Sequence, residues 1–144
     1  MDKIKINNEN VYKIEINDNG DCIELDLLDI ELPIKFINAG KTLERETKIY
    51  NNKVKALENQ YKDDVKTYLY KRLDVDRTYC KKMREMFDSW LGEGTSQKVF
   101  GSKNRIGMFD EFYNQLVPIL NDIQLNFEQI KENLLKRYNP EVKL

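Results

Sequence analysis

One short stretch of the sequence has residue types that could bind phosphate. Residues 91–101 read LGEGTSQKVFG, with three glycines, two hydroxyl side chains and a lysine. A dinucleotide-binding G-x-G-x-x-G motif starting at Gly92 needs glycine where Gln97 stands, and it must follow a strand. A P-loop fails at Gln97 as well or, if it starts at Gly94, at Val99. We therefore interpret the stretch as a connector between two helices.

The remaining polar residues give little support to catalysis. The sequence has no histidine, which removes the commonest general base and the commonest metal ligand. Asp63 and Asp64 are adjacent and would point about 100° apart on a helix, so they cannot easily share a metal ion. Asp74 and Asp76 are typical of helix caps. We expect no catalytic residue, no metal site, no cofactor and no enzymatic activity.

Cys22 and Cys80 are too few to form a zinc site by themselves. No signal peptide is visible, so we expect a reducing, cytoplasmic environment and two buried, free thiols. No apolar run is long enough for a membrane span, and we expect a soluble protein.

Charge is distributed unevenly along the 144 residues, although the net charge is only −1. Residues 1–40 contain four lysines and nine acidic residues, whereas residues 41–85 contain thirteen basic and eight acidic residues. The middle segment could face an acidic partner, the acidic segment of its own chain, or that of a second copy. The simplest interpretation is a solvated helix of mixed charge.

The first thirty residues have the alternation of a β-hairpin around the turn Asn19-Gly20. A two-residue loop would pair Ile16 with Ile23, Ile14 with Leu25, Tyr12 with Leu27, Lys13 with Asp26 and Glu15 with Glu24. Ile4 and Ile6 could add a third strand and make a meander. Such a small sheet needs helices to cover its apolar face.

Three long helical patterns follow the hairpin. The first begins near Leu32-Pro33, because proline suits the first turn of a helix. It extends to about Lys71. Its apolar positions are spaced by threes and fours: Tyr50, Val54, Leu57, Tyr61, Val65 and Tyr68. The second begins at Asp74 or Asp76 and ends at Gly92. Thr95 or Ser96 caps a short turn that Gly101 ends.

The third pattern extends from about Arg105 to Tyr138, before Asn139-Pro140. Pro118 lies inside it, so a kink or two helices meeting near residues 114–118 are expected. Its core positions should include Leu116, Ile123, Phe127 and Ile130. The whole chain is predicted to be one mainly α (α+β) domain over 1–144, with a hairpin or meander in 1–30, three or four long helices in 31–138 and a tail in 139–144.

Three segments also resemble a known group of proteins. They are LPIKFINAGKTLE at 32–44, MREMFDSWLGEGTSQKVFG at 83–101 and NRIGMFDEFYNQL at 104–116. Together with the hairpin and the charged last helix, they resemble small tail assembly chaperones of phages and prophages of low-GC Gram-positive bacteria. The resemblance covers about residues 10–138, and residues 87–101 with Asn104 are its most distinctive part.

This resemblance implies a non-enzymatic binding protein of tail morphogenesis. Tail chaperones are thought to coat the tape-measure protein, a long helical rod, so the implied partner is that protein or another tail protein. No site residue can be carried over from the family, because the similarity lies in structural positions. We also expect weak homo-oligomers.

Two questions remain open from the residues alone. The basic residues Lys71, Arg72, Arg77, Lys81, Lys82 and Arg84, near Tyr68, Tyr70 and Tyr79, could instead bind nucleic acid as a phage regulator. Methionine and aromatic residues on the second helix and the connector could form either the core or an adaptable partner groove. That partner-binding set is Met83, Met86, Phe87, Trp90, Val99 and Phe100.

Overall fold

The computed structural model describes residues 1–6 and 10–138, without the side chains of 124–131 and 133–138. Two strands, β1 (Val11–Glu15) and β2 (Cys22–Asp26), are followed by α1 (Leu32–Gln60), α2 (Val65–Leu91), α3 (Thr95–Phe100) and α4 (Met108–Tyr138). The predicted fold class is confirmed: the protein is mainly helical with a small antiparallel sheet. The predicted tail 139–144 lies outside the described residues.

The sheet is a hairpin, since the described residues 1–6 form no strand and Ile4 and Ile6 are exposed. Its register differs by two residues from the predicted one: Ile14 faces Ile23, and Tyr12 faces Leu25. A shift of two keeps the same residues on the same side. It also places Lys13 opposite Glu24, with 3.6 Å between Nζ and Oε1.

The loop explains the shift, because it has four residues where the sequence predicted two. The Ile16 amide donates to the Asp21 carbonyl at 2.9 Å, and this bond encloses a loop of residues 17–20. Asn17 Oδ1 accepts from the amides of Asn19 at 2.9 Å and Asp21 at 3.2 Å. An Asn side chain that bonds the backbone two residues later stabilises such turns. This local bonding therefore replaces the two-residue Asn-Gly turn.

The first helix begins at Leu32 as predicted but ends at Gln60, and the second begins at Val65. The prediction of one helix to Lys71 and a new start at Asp74 or Asp76 is therefore wrong. Asp64 is the cap: its carboxylate accepts from the Thr67 amide at 3.1 Å and from the Thr67 hydroxyl at 2.7 Å. A capping side chain in this position begins a helix even where the apolar spacing continues unbroken.

Residues 91–101 connect two helices, as the sequence indicated. Gly92 ends α2 at φ 117°, and Gly94 precedes α3 at φ 86°, conformations that favour glycine. The predicted cap at Thr95 or Ser96 is wrong. Instead, Asp88 on α2 accepts from the Ser96 amide at 2.7 Å and from its hydroxyl at 3.0 Å.

The last helix is continuous from Met108 to Tyr138 and includes Pro118. The alternative of two separate helices meeting near residues 114–118 is therefore wrong. Leu116 and Ile123 are buried, as predicted. The predicted core side chains of Phe127 and Ile130 lie outside the described ones.

The core lies where α2 meets the hairpin, α3 and the beginning of α4. Its fully buried side chains are Phe87, Phe109, Met83, Leu116 and Cys80. Ile23 and Leu25 of β2 join the same cluster. Cys80 is a buried free thiol as expected, but Cys22 is exposed, because its place on β2 points away from Ile23 and Leu25.

The other end of the α1–α2 pair is built differently. We call residues 55–74 the arm; the structure describes all of them, and none is buried. Within the described part of the chain, no helix is long and apolar enough to cross a membrane.

Candidate functional site

A groove of about 500 Å³ lies between α1 and α2, on the half of the pair away from the arm. Helical spacing puts its α1 residues on one face and its α2 residues on the facing one. The lining consists of Lys35, Asn38, Ala39, Thr42, Arg45, Glu46, Lys82, Glu85, Met86, Ser89 and Trp90. We call this site the α1–α2 groove.

The apolar surface of the groove comes from three residues. Ala39 and Trp90 are buried, whereas Met86 is half-buried. Trp90 is held in an aromatic cluster, with ring centroids 6.0 Å from Phe36 and 6.1 Å from Phe87. Its Nε1 is buried and has no hydrogen-bond partner within the part of the chain that the structure describes. The groove therefore combines a rigid aromatic surface with an adaptable methionine.

Charged side chains border the groove. Glu46 is buried on α1 and accepts from both sides, with Lys82 Nζ 3.3 Å from Oε2 and Arg45 Nε 3.5 Å from Oε1. A buried carboxylate requires such partners, because desolvation disfavours its charge. The pair with Lys82 joins α1 to α2 at this level, whereas Arg45 lies on α1 beside Glu46. The remaining charges, Lys35 and Glu85, are exposed at the edge.

Two buried titratable groups on α2 favour their protonated forms. Burial raises the pKa of Tyr79, although the nearby Thr47 hydroxyl opposes the shift. Burial, together with the charge of Asp76, also raises the pKa of Cys80. A thiol that is kept protonated is a poor nucleophile. Neither residue therefore has an environment that would activate it.

The six predicted partner-binding residues fall into three places. Met83 and Phe87 are fully buried in the core, whereas Trp90 is buried and also lines the α1–α2 groove. Met86 lies in the α1–α2 groove. Val99 and Phe100 line a separate depression of about 530 Å³ formed with residues 101–105 and the beginning of α4. They do not form one surface.

The basic residues that suggested nucleic-acid binding are partly used inside the protein. Arg72 donates to the Tyr68 hydroxyl at 2.8 Å and lies 3.9 Å from Asp76. Tyr79 is buried. Arg84, at 2.9 Å from Asn104 Oδ1, also donates to the backbone oxygen of Lys103. Arg84 thus joins α2 to the segment 101–107 between α3 and α4. The spacing of charges in the sequence did not indicate this role.

The candidate carboxylates also have structural contacts. Asp64 caps α2, and Asp76 accepts from the Tyr50 hydroxyl at 2.6 Å. This bond and burial both raise the pKa of Tyr50, with burial the larger cause. Among the described residues, no group of three or more acidic or cysteine side chains is placed to hold a metal ion.

The fold and the site together define a small α+β protein with a groove between two helices. Comparison with known families matches residues 19–143 to DUF6673, a family of unknown function. The chain belongs to this family. No curated protein matches the sequence, and no solved structure matches the fold.

Proposed function

We propose that this protein is a non-enzymatic tail morphogenesis protein of a phage or prophage, a tail assembly chaperone that binds a helical segment of the tape-measure protein. The observation that supports this best is the α1–α2 groove, in which Met86 and Trp90 lie between two adjacent helices. An amphipathic helix can insert its apolar face into such a groove. The proposed location is the cytoplasm of the bacterial host.

The shape of the groove suits a third helix. Two packed helices leave a channel between their ridges, and the small Ala39 lets a partner side chain approach closely. Met86 can adopt several conformations, which favours a partner whose apolar residues vary along its length. The charged border at Lys35 and Glu85 would then set the direction and register of the bound helix.

The resemblance to tail chaperones supports the phage context. Its most distinctive part, 87–101 with Asn104, forms the end of α2, the connector and the contact with Arg84. The described contacts in this part hold α3 and the segment 101–107 on α2. Nucleic-acid binding is the weaker alternative, because Arg72 and Arg84 already have partners within the chain.

Co-expression with the tape-measure protein of the same prophage tests the proposal. Ser89 is exposed in the groove, so Ser89→Arg should fill the groove without disturbing the core. Ser102→Arg makes the same change at an exposed position of the separate depression that Val99 and Phe100 line, so it tests whether a loss of binding is specific to the α1–α2 groove. We expect the wild type and Ser102→Arg to co-purify with the tape-measure protein and increase its solubility, and Ser89→Arg to do neither.

A wild-type protein that does not co-purify would contradict the chaperone role. Another small structural tail component would then be the better proposal. If Ser89→Arg binds as well as Ser102→Arg, the partner binds elsewhere on the surface.

A further inference from the structure

The turn between α1 and α2 lacks the residue type that ends α2 and α3. Residues 61–64 contain neither glycine nor proline, and none of them has a positive φ. By contrast, α2 ends at Gly92 with φ 117°, and α3 ends at Gly101 with φ 70°. No residue of the α1–α2 turn therefore opposes a helical conformation by its type.

The helical spacing also continues through this turn. From Leu32 to Trp90, residues recur every three or four positions, at the average period of about 3.6 that one straight α-helix has. This series, which we call the long stripe, is Leu32, Phe36, Ala39, Leu43, Glu46, Tyr50, Val54, Leu57, Tyr61, Val65, Tyr68, Arg72, Val75, Tyr79, Met83, Met86 and Trp90. The structure describes all of these residues, and all except Val65 are buried or half-buried. Two separate helices of a hairpin do not need a shared phase, because each must only turn its own apolar face to the other.

The contacts between α1 and α2 are centred on the turn. The two members of each pair lie equally far from residue 63 along the chain: Glu58 and Tyr68, Tyr50 and Asp76, Thr47 and Tyr79, Phe36 and Trp90. Two continuous helices that lie antiparallel and meet at residue 63 would therefore form the same pairs, with one member of each pair from each helix.

The Asp64 cap is the interaction that favours the turn. The Asp64 carboxylate accepts from the amide and the hydroxyl of Thr67. In a continuous helix the Thr67 amide would donate to the Asp63 carbonyl instead, and the cap would be lost. The closed hairpin and the continuous helix therefore differ, for each chain, by one cap and by the conformation of the turn.

From these observations we infer that α1 and α2 join into one helix through residues 61–64, and that two such chains exchange their halves in a domain-swapped dimer. The part before the turn in each copy then packs on the part after the turn in the other, so the core contacts are kept but are made between copies. At the two-fold axis, Tyr61 of one copy lies opposite Val65 of the other. This contact covers the one exposed residue of the long stripe.

The α1–α2 groove of such a dimer contains residues of two copies. Residues 35–46 come from one chain, and residues 82–90 come from the other. At about 1.5 Å per helical residue, each groove lies about 35 Å from residue 63, so the dimer has one groove toward each end. The exchange itself does not depend on what the grooves bind.

Refolding at a series of protein concentrations tests the exchange, because unfolding in urea lets the halves of different chains find one another. Asp64→Ala removes the cap, and Asp63→Ala is its control, since Asp63 is an exposed neighbour outside the cap. Lys62→Gly with Asp63→Gly opposes a continuous helix without opposing the turn. Sedimentation velocity measures the dimer fraction, and circular dichroism checks the helical content.

We expect the wild type to form a dimer whose fraction rises with concentration and that grows no further, because the exchange closes on a two-fold axis. The association constant of Asp64→Ala should exceed that of Asp63→Ala by about tenfold or more, since two caps per dimer no longer oppose the exchange. The double-glycine variant should associate about tenfold or more weakly than the wild type, because four glycines enter the helices of each dimer.

A charge exchange separates a swapped dimer from one in which two closed copies lie side by side. Glu46→Lys and Lys82→Glu each place like charges at a contact of 3.3 Å between α1 and α2. In a swapped heterodimer of these two variants, both contacts join opposite charges. After the two variants are refolded together, one of them isotope-labelled, native mass spectrometry should find the heterodimer as the main dimeric species.

Three results would contradict the exchange. The first is an Asp64→Ala protein that stays monomeric after refolding at every concentration, and the second is an Asp64→Ala dimer fraction no higher than that of Asp63→Ala. The third is a mixture of the two charge variants that forms no heterodimer although each keeps its helical content. No other protein is present in these experiments, so their outcome is separate from that of the chaperone proposal.

Discussion

The two halves of α2 have similar residue spacing but different surroundings. In the second half, Cys80 and Phe87 lie under α3 and α4 and are fully buried. In the first half, Leu69 and Leu73 continue the same side of the helix, at spacings of seven and four, yet both are exposed. An apolar helical face thus becomes core only where another element covers it. The uncovered half belongs to the arm.

The largest expected effect is the difference in free energy of unfolding between an alanine substitution in the covered half of α2 and one in the exposed half. Phe87 is 0% exposed and packs against Trp90, Phe100, Phe109 and Phe112, so Phe87→Ala should reduce the free energy of unfolding by about 3–5 kcal/mol. Leu69 is 58% exposed, and Leu69→Ala should cost less than about 1 kcal/mol. Urea denaturation of the dilute protein measures both. Equal costs would contradict the contrast between the two halves.

A smaller effect concerns the cap that holds α3 on α2. Asp88→Ala removes two hydrogen bonds to Ser96 and should reduce stability by about 1–2 kcal/mol. Ser96→Ala removes only the bond from the hydroxyl and should cost less. If Asp88→Ala unfolds at the wild-type urea concentration, the cap does not stabilise the covered half.

A third prediction tests how closely α4 approaches α1. A Cβ at Gly40 would lie 2.9 Å from the Tyr113 hydroxyl oxygen, so this oxygen must move in Gly40→Ala. Alanine is favoured over glycine in a helix by about 0.5–1 kcal/mol. We expect Gly40→Ala to gain that stability in a Tyr113→Phe background and to gain less with Tyr113 present. A double-mutant cycle without coupling would show that α4 lies farther from α1.

The smallest expected effect is the change of stability with pH near neutrality. The protein has no histidine, so between about pH 6 and 8 the free energy of unfolding should stay nearly level. Cys80, Tyr50 and Tyr79 have pKa values raised above 9.0, 10.0 and 10.0 in the folded state. Their contribution is present below those values and is lost as pH rises through the raised ones.

At acidic pH the corresponding contribution comes from a carboxyl group whose pKa is lowered in the folded state. Asp64 at the beginning of α2 has a pKa lowered by its bonds to Thr67, so its contribution to stability is present above 3.8 and is lost as the pH falls through the lowered value. Urea denaturation at a series of pH values checks these directions. A steep change between about pH 6 and 8 would indicate a shifted group that the structure does not show.

Periodicity predicted the helical class, while Pro33 indicated the beginning of α1 and Gly92 the end of α2, because these features depend on local residues. It failed at Gln60, where apolar spacing continues through the break and only the capping bond of Asp64 to Thr67 marks the new helix. The hairpin register failed for a similar reason, since the Asn17 side chain selected a longer loop. Both errors come from side-chain bonds to the backbone, which apolar spacing does not represent.

The candidate site was less predictable than the fold. The sequence placed four residues of α2 in one predicted partner-binding set, and the structure separates them: Met83 and Phe87 are fully buried in the core, whereas Met86 and Trp90 line the groove. Which side of α2 is covered depends on the packing of α3 and α4, and therefore on contacts distant in sequence. The polar groove residues Thr42, Ser89 and Glu46 gave no signal by themselves.

The central claim, that a helical partner binds in the α1–α2 groove, can be measured with the single tryptophan, Trp90. A tryptophan-free helical segment of the tape-measure protein is titrated into the protein while tryptophan emission is recorded. We predict a saturable change in the wild type and in Ser102→Arg, and its loss in Ser89→Arg. Binding of the same segment, detected by sedimentation, with unchanged Trp90 emission in the wild type would contradict the claim.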